Sequence, residues 1–229
     1  MYFDLMNLYG DWANPAVIER ELIMRGKEAI IEKKSVGCDI DFSLYDFIYV
    51  GSGTERSQQA CMQDLSPNKE ALLASIEKGT PVLATGNSHE LFGQSVTNSS
   101  EVRIKTLGLL DFETIQLNTR VTGDCLVKAK FLEEKLIGFI NRAGGSQKGE
   151  IERPFSIEPA EGANFKACPE GIQYKNLLGT YMTGPVLIRN PPLLRYFADI
   201  ITGEPKKNTT DDPFFKYQEK AYKTALDLM

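Results

Sequence analysis

The sequence has a single histidine, His89, in 229 residues. One imidazole excludes multi-histidine metal centres and leaves one candidate imidazole base. Cysteine is also sparse. Cys38, Cys61, Cys125 and Cys168 show none of the short paired spacings that zinc sites use, so each is expected to be a small buried hydrophobe, with no metal site. No apolar run approaches the ~20 residues of a membrane span, and the amino terminus does not read as a signal peptide, so the cytoplasm is the default compartment. Asn98-Ser99-Ser100 and Asn208-Thr209-Thr210 are therefore read as chance matches to glycosylation acceptors. Positive charge is in deficit: the net charge is −5. That argues against nucleic acid, whose binding rests on Lys and Arg neutralising phosphates.

What is present is an ordinary folded composition, 42% hydrophobic and 25% charged, without internal repeats and with enough length for one domain over residues 1–229. Its central stretch is Pro81 to Gly93. Val82 to Ala84 reads as a buried strand, Gly86-Asn87 as a turn tolerant of positive φ, and His89 to Phe92 as the opening of a helix. Strand, sharp turn and helix form the geometry of a nucleophile elbow. The elbow position is held by Gly86, which has no side chain.

Upstream, Met1 to Leu8 is expected to form at most a short strand. Asn14-Pro15 reads as a helix cap with proline at the first position, and Gly26 as the stop. Ala29 to Ile31 and Asp46 to Val50 read as strands, the second running into Gly51-Ser52-Gly53, a turn that exposes backbone N–H groups. Ser66-Pro67 repeats the helix start and Gly79 the stop, so residues 46–93 read strand, helix, strand, helix. That order favours parallel strands in an α/β layered fold. Beyond Leu107, three short strands (117–121, 125–131 and 136–140) and a flexible loop at 143–149 suggest antiparallel hairpins. A strand over 176–186 ends at Gly184-Pro185, a helix starts at Leu193, a polar linker covers 204–210, and Asp212-Pro213 caps a last helix.

Several blocks, in order, resemble the class I (triad) glutamine amidotransferases of the cobyric acid synthase type. The resemblance is nearest to the branch of glutaminase subunits of lipid II isoglutaminyl synthase. The blocks are Asp4 to Asp11, Gly51-Ser52-Gly53 with Gln58, the elbow at 81–93, Gly108 to Asp111, Arg120 with Gly123, Gly138-Phe139, and Tyr174 to Asn176 with Gly179 to Pro185. The resemblance implies a three-layer fold: a central, mostly parallel sheet with helices on both faces and an antiparallel extension. It also implies a glutaminase whose cysteine attacks the glutamine amide, a histidine base, backbone N–H groups holding the oxyanion, no cofactor, and ammonia passed to a Mur-ligase-like partner.

The sequence departs from that pattern where the chemistry would occur. Gly86 stands at the cysteine position and Thr183 at the histidine position, and Asn87 to Glu90 replace Gly-Gly-Tyr-Gln. Arg120 aligns with the arginine that recognises glutamine in the family, and Gly51, Gly53 and Asn87 align with its substrate-binding surroundings. Each has a plainer reading: a surface salt bridge for Arg120, and turn geometry for the glycines. Ser88 and His89 make a poor nucleophile–base pair because adjacent helical residues diverge by ~100°, and Cys61 follows the glycine-rich turn. The chain begins almost inside the family's first block, so the first strand is very short or the native chain has an additional one. Three functions stay open: a non-hydrolysing homologue docking an amidating partner, a glutaminase with an unorthodox nucleophile, or a module that binds glutamine or another amino acid without turnover. Loss of two side chains is expected to leave extra room at the elbow, with Thr183 and Arg120 near it.

Overall fold

A computed structural model describes residues 1–205 and 212–229. The first helix, α1 (Ala13–Met24), is followed by the strand β1 (Ile48–Val50), then α2 (Glu55–Leu65) and α3 (Lys69–Glu77), then β2 (Val82–Thr85) and a 3₁₀ turn over Gly86–Phe92. The strands β3 (Ser95–Thr97), β4 (Arg103–Lys105), β5 (Glu113–Ala129), β6 (Leu136–Lys148), β7 (Phe155–Pro159), β8 (Cys168–Glu170), β9 (Ile172–Tyr174) and β10 (Leu177–Thr180) come next. The helices α4 (Val186–Arg189), α5 (Pro191–Thr202) and α6 (Pro213–Asp227) close the chain.

Among the described residues the strands form two sheets. The first has the order β1-β2-β10-β9, with β1, β2 and β10 parallel and β9 antiparallel. Its residues alternate between two cores. Tyr49, Leu83 and Leu178 face a cluster with Val17, Leu22, Leu187, Leu193 and Phe197 from α1, α4 and α5. Ile48, Val50, Val82, Ala84 and Leu177 face a cluster with Cys61, Leu65, Leu72 and Ile76 from α2 and α3. Because strand side chains alternate faces, apolar residues at every position require a helical layer on each side. The result is the three-layer α/β arrangement.

The second sheet has the order β4-β3-β5-β7-β8, with β6 also paired to β5. It is the extension, antiparallel except where β3 pairs with β5 in parallel, and single bridges Ile140–Met182 and Glu152–Gln173 join it to the first sheet. Here the sequence expectation of short strands is corrected. Residues 117–121 and 125–131 fall mostly within one strand of 17 residues, and 143–148 is the end of β6 rather than a flexible loop. Gly144-Gly145 serves a bulge. Leu117 pairs with Gly144 and Arg120 with Ala143, so two extra residues on β5 are accommodated opposite one step of β6. A Cβ at Gly144 would lie 2.1 Å from Thr119 Oγ1, and one at Gly145 (φ +126) 1.9 Å from the Ile115 carbonyl oxygen.

Other expectations change near the amino terminus. Residues 1–8 form turns, with Tyr2 at φ 52 and its carbonyl accepting from the N–H groups of Leu5 and Met6. Residues 29–31 form no strand, and β1 is the edge of its sheet. Asn14 is not the cap of α1, since the helix starts one residue earlier. The Asn14 side chain is buried and bonds Tyr49 Oη at 2.8 Å, the Gly184 carbonyl at 3.0 Å and the Leu187 N–H at 2.8 Å. Ser66-Pro67 opens a 3₁₀ turn ahead of α3. Asp212 does cap α6, accepting from the Phe214 N–H at 2.7 Å. The expected linker over 204–210 falls mostly outside the described residues. Cys61 and Cys125 are buried, as expected, but Cys38 and Cys168 are exposed, on a surface turn and on β8.

The bulge gives a stability test. Gly145→Ala should cost ~3 kcal/mol or more, because both φ and the Ile115 carbonyl oppose a Cβ. Gly162→Ala, at φ +83 with open space around it, should cost only the ~1 kcal/mol of left-handed backbone strain. Thermal unfolding of the two variants checks the ranking; equal shifts would remove the steric account of the bulge.

Candidate functional site

The three parallel strands end at the same edge of the sheet, and each releases a loop there: residues 51–53 after β1, the turn at Gly86 after β2, and Tyr181 to Gly184 after β10. Ligands in open α/β sheets gather at such carboxyl ends. Gly86 adopts φ +64, the left-handed conformation that an elbow imposes and glycine tolerates. Its N–H donates to the Met182 carbonyl at 3.1 Å, which brings the Thr183 peptide directly against the elbow. Thr183 is buried, and its hydroxyl donates to the Phe139 carbonyl at 3.2 Å.

The expected extra room is absent. A Cβ at Gly86 would lie 2.2 Å from Ser52 Oγ and 2.7 Å from Ser52 Cβ, so the glycine-rich turn has filled the place of an elbow side chain. Ser52 donates to Asp11 Oδ1 at 3.2 Å, and Thr85 Oγ1 and Tyr49 Oη reach the same oxygen at 3.1 and 3.3 Å. Burial pushes the Asp11 carboxyl above its ordinary value, against the pull of hydrogen bonds from Tyr9, Ser52 and Thr85. Gly51 and Gly53 are required by close approach: Cβ atoms there would meet the Met6 carbonyl and the Met6 sulfur, both at 2.3 Å. The Gly53 N–H, in the turn read from the sequence as a substrate-binding candidate, is satisfied by Asn87 Oδ1 at 3.1 Å.

The groups weighed as replacements for a thiol are engaged elsewhere. Ser88 Oγ donates to the Thr85 and Val50 carbonyls at 2.8 and 3.0 Å. His89 is fully buried, with Nδ1 2.7 Å from the Gly86 carbonyl oxygen and Nε2 2.9 Å from Gln147 Nε2. Arg153 donates to Gln147 Oε1, which fixes the amide so that its NH₂ faces the ring. His89 is therefore neutral, donating from Nδ1 and accepting at Nε2, with no lone pair left for a base. Burial, the leading cause, pulls its pKa down to about 3. Burial pushes the Cys61 thiol up to about 12, which keeps it protonated and inert.

Arg120 follows the bulge and lines a cleft of about 420 Å³ between α2 and β5. Glu55, Gln58, Met62, Gln116 and Asn118 share that cleft, whereas Gly86 and Thr183 do not line it. Arg120 forms no ion pair among the described residues, contrary to the plainer expectation. Its Nε donates to Asn141 Oδ1 at 2.6 Å, and Asn141 Nδ2 donates to Tyr9 Oη at 3.0 Å. Gln58 connects the cleft to the elbow, donating to the Asn87 carbonyl at 2.6 Å and to Glu90 Oε2 at 2.9 Å. The buried Glu90 also accepts from Tyr181 Oη at 2.7 Å, and desolvation raises its pKa. Ser52, Glu90, Asp11 and Gln58 all stood inside the quoted blocks without a role of their own.

An elbow at the end of a parallel strand, flanked by a glycine-rich turn and a third loop from the same sheet edge, defines an amidotransferase-type α/β domain. Residues 1–191 match the CobB/CobQ-like glutamine amidotransferase domain, and the chain belongs to that family. It is 31% identical over 195 residues to the GatD subunit of lipid II isoglutaminyl synthase (glutamine-hydrolyzing) from Streptococcus pneumoniae, covering 84% of this chain and 75% of that protein. The Staphylococcus aureus GatD subunit is 29% identical over 196 residues, covering 86% and 80%. In fold, the chain is similar to the glutaminase domain of Trypanosoma brucei CTPS with bound acivicin, at a TM-score of 0.53 and 12% identity, covering 86% of this chain and 90% of that one. Among the described residues, no helix is long and apolar enough to cross a membrane.

The histidine yields a pH prediction. An unfolded histidine takes up its proton below about pH 6.5, while His89 in the fold resists until about pH 3. Between those values the unfolded state holds more protons, so this group makes stability fall as pH falls. Glu170, raised by burial from 4.5 to about 7, works in the opposite direction: its contribution is lost as pH rises through that window. The single histidine should thus show a flat NMR shift from about pH 8 to 5, and the stability gap between wild type and His89→Gln should narrow on acidification. A ring titrating near its ordinary pKa would contradict the buried, neutral assignment.

Proposed function

We propose that this chain is a non-hydrolysing member of the CobB/CobQ-like glutamine amidotransferase family, which works in the cytoplasm by docking a Mur-ligase-like amidating partner. The partner would draw on free ammonia, in the setting of peptidoglycan precursor (lipid II) amidation. The observation that carries the reading is the elbow itself. Gly86 offers no nucleophile, Ser52 fills its side-chain space, and Thr183 cannot act as a base in place of an imidazole. Losing a nucleophile and its base costs several orders of magnitude, because the two act as a unit. The scaffold around them is intact, and the GatD relatives are named as subunits of a synthase. The alternative of a working glutaminase has little support from the site, since Ser88, His89 and Cys61 are all committed to internal contacts or kept inert.

A second reading rests on Arg120. Its guanidinium lacks a carboxylate partner among the described residues and lines a cleft rich in side-chain amides. A planar guanidinium suits bidentate capture of a carboxylate, so the cleft is a candidate for glutamine or a related amino acid held without turnover.

Glutamine hydrolysis to glutamate, measured with and without the partner ligase, tests the first reading, and none is expected in either state. Turnover abolished by Arg120→Ala would instead establish an active glutaminase. For the second reading, glutamine at a hundredfold excess over its dissociation constant should stabilise the chain by about 2.7 kcal/mol. Arg120→Ala should remove that gain, and no ligand-dependent shift in wild type would dismiss it.

A further inference from the structure

We infer that Ser52 is what keeps the elbow shut: its side chain, held by Asp11, plugs the space that any side chain at residue 86 would need. The inference concerns the elbow read above as non-hydrolysing, and it deepens that reading by naming what keeps the site shut. The ideal Cβ at residue 86 lies 2.2 Å from Ser52 Oγ, 2.7 Å from its Cβ and 3.3 Å from its Cα. Rotating the hydroxyl clears only the first of these contacts. The Cβ contact remains, so the backbone of the turn would have to retreat.

Retreat is blocked on three sides. The Ser52 carbonyl accepts from the Leu8 N–H at 3.0 Å. The Gly53 N–H is held by Asn87 Oδ1 at 3.1 Å, which ties the turn to the elbow it would have to leave. Gly51 packs so closely on the Met6 carbonyl and Asp11 Cβ that even a methyl group has no place. Ser52 is itself only 2% exposed, and its hydroxyl is one of the donors that the buried Asp11 carboxylate needs. The turn is wedged between the amino-terminal segment and the elbow, with Ser52 at the point of contact. Replacing Gly86 and Thr183 by the family's cysteine and histidine would therefore not produce an accessible thiol while Ser52 remains.

A double-mutant cycle reads this coupling without any turnover. Gly86→Ala is compared with Gly86→Ala combined with Ser52→Gly, each against its own parent, by thermal unfolding. The strain of an L-residue at φ +64 is common to both comparisons and cancels, leaving the steric pair. Gly86→Ala should lower Tm by roughly 5 °C or more in the parent and by less than about half that with Ser52→Gly. Equal losses would overturn the plug.

A second readout uses a chain carrying Cys38→Ser and Cys168→Ser, which removes the exposed thiols. In it, Gly86→Cys should be alkylated by iodoacetamide at least ~10-fold more slowly than Gly86→Cys with Ser52→Gly. Equal rates would also overturn it, and if Gly86→Cys does not fold, the alanine cycle decides. Covalent labelling of Ser52 in the unaltered chain by a glutamine-like electrophile would overturn it too, by making Ser52 a nucleophile. Glutamine hydrolysis by the unaltered chain would refute the functional reading while leaving the steric coupling as measured.

Discussion

The buried Asp11 carboxylate is the contact on which the site's architecture depends. One of its oxygens accepts from Tyr49 on β1, Ser52 on the glycine-rich turn and Thr85 at the end of β2, and the other accepts from the Tyr9 N–H. Burying a carboxylate is costly unless its lone pairs are satisfied. Here the donors come from separate elements, so the carboxylate is satisfied only when those elements are in place together. Desolvation still dominates and raises the Asp11 pKa. The same oxygen set that compensates the burial also fixes the distance between the turn and the elbow.

Around this contact the remaining polar groups form a second, separate network under the elbow. His89 packs edge-on against Tyr181 with ring centroids 4.3 Å apart, the Arg142 guanidinium lies over the Tyr181 ring at 4.5 Å from its centroid, and Tyr181 donates to Glu90. Gly179 on β10 makes the approach possible, since a Cβ there would come within 2.4 Å of His89 Cβ. The lone imidazole is thus a packing and hydrogen-bonding element. Its position one turn from Gly86 looks catalytic in sequence, yet both its nitrogens are used to hold the elbow's own carbonyl and a neighbouring amide.

Much of the layered half was legible in the sequence because local pattern and tertiary role agree there. Ile48 to Val50 and Val82 to Ala84 are short apolar runs bounded by turn residues, and both became parallel strands buried on two faces. The antiparallel half was less legible. Gly123 and the Gly144-Gly145 pair read as breaks, whereas in the fold they sit inside long strands where a neighbour approaches too closely for a side chain. Asn14-Pro15 shows the same limit, since a residue with ideal capping chemistry is spent on long-range contacts to Tyr49, Gly184 and Leu187. At the site, the absence of a side chain at 86 was readable, but its consequence was not. Whether a missing side chain leaves a hole depends on what lies opposite, and Ser52 lies 34 positions away in sequence.

Gly51 and Gly53 belong to the blocks that carry the resemblance, and in a hydrolysing relative such glycines would shape an oxyanion hole. In this chain each has a sufficient reason in packing: the Met6 carbonyl and the Met6 sulfur respectively. The Gly53 N–H is turned to Asn87 rather than left open. Retention of those residues therefore supports the fold and is silent about turnover. Arg120 is different: it is exposed, forms no ion pair among the described residues, and donates from Nε to Asn141 Oδ1 while lining the cleft. An exposed guanidinium bonded to a neutral amide is satisfied by that bond and by solvent, so its place in the cleft leaves it available to a carboxylate without requiring one.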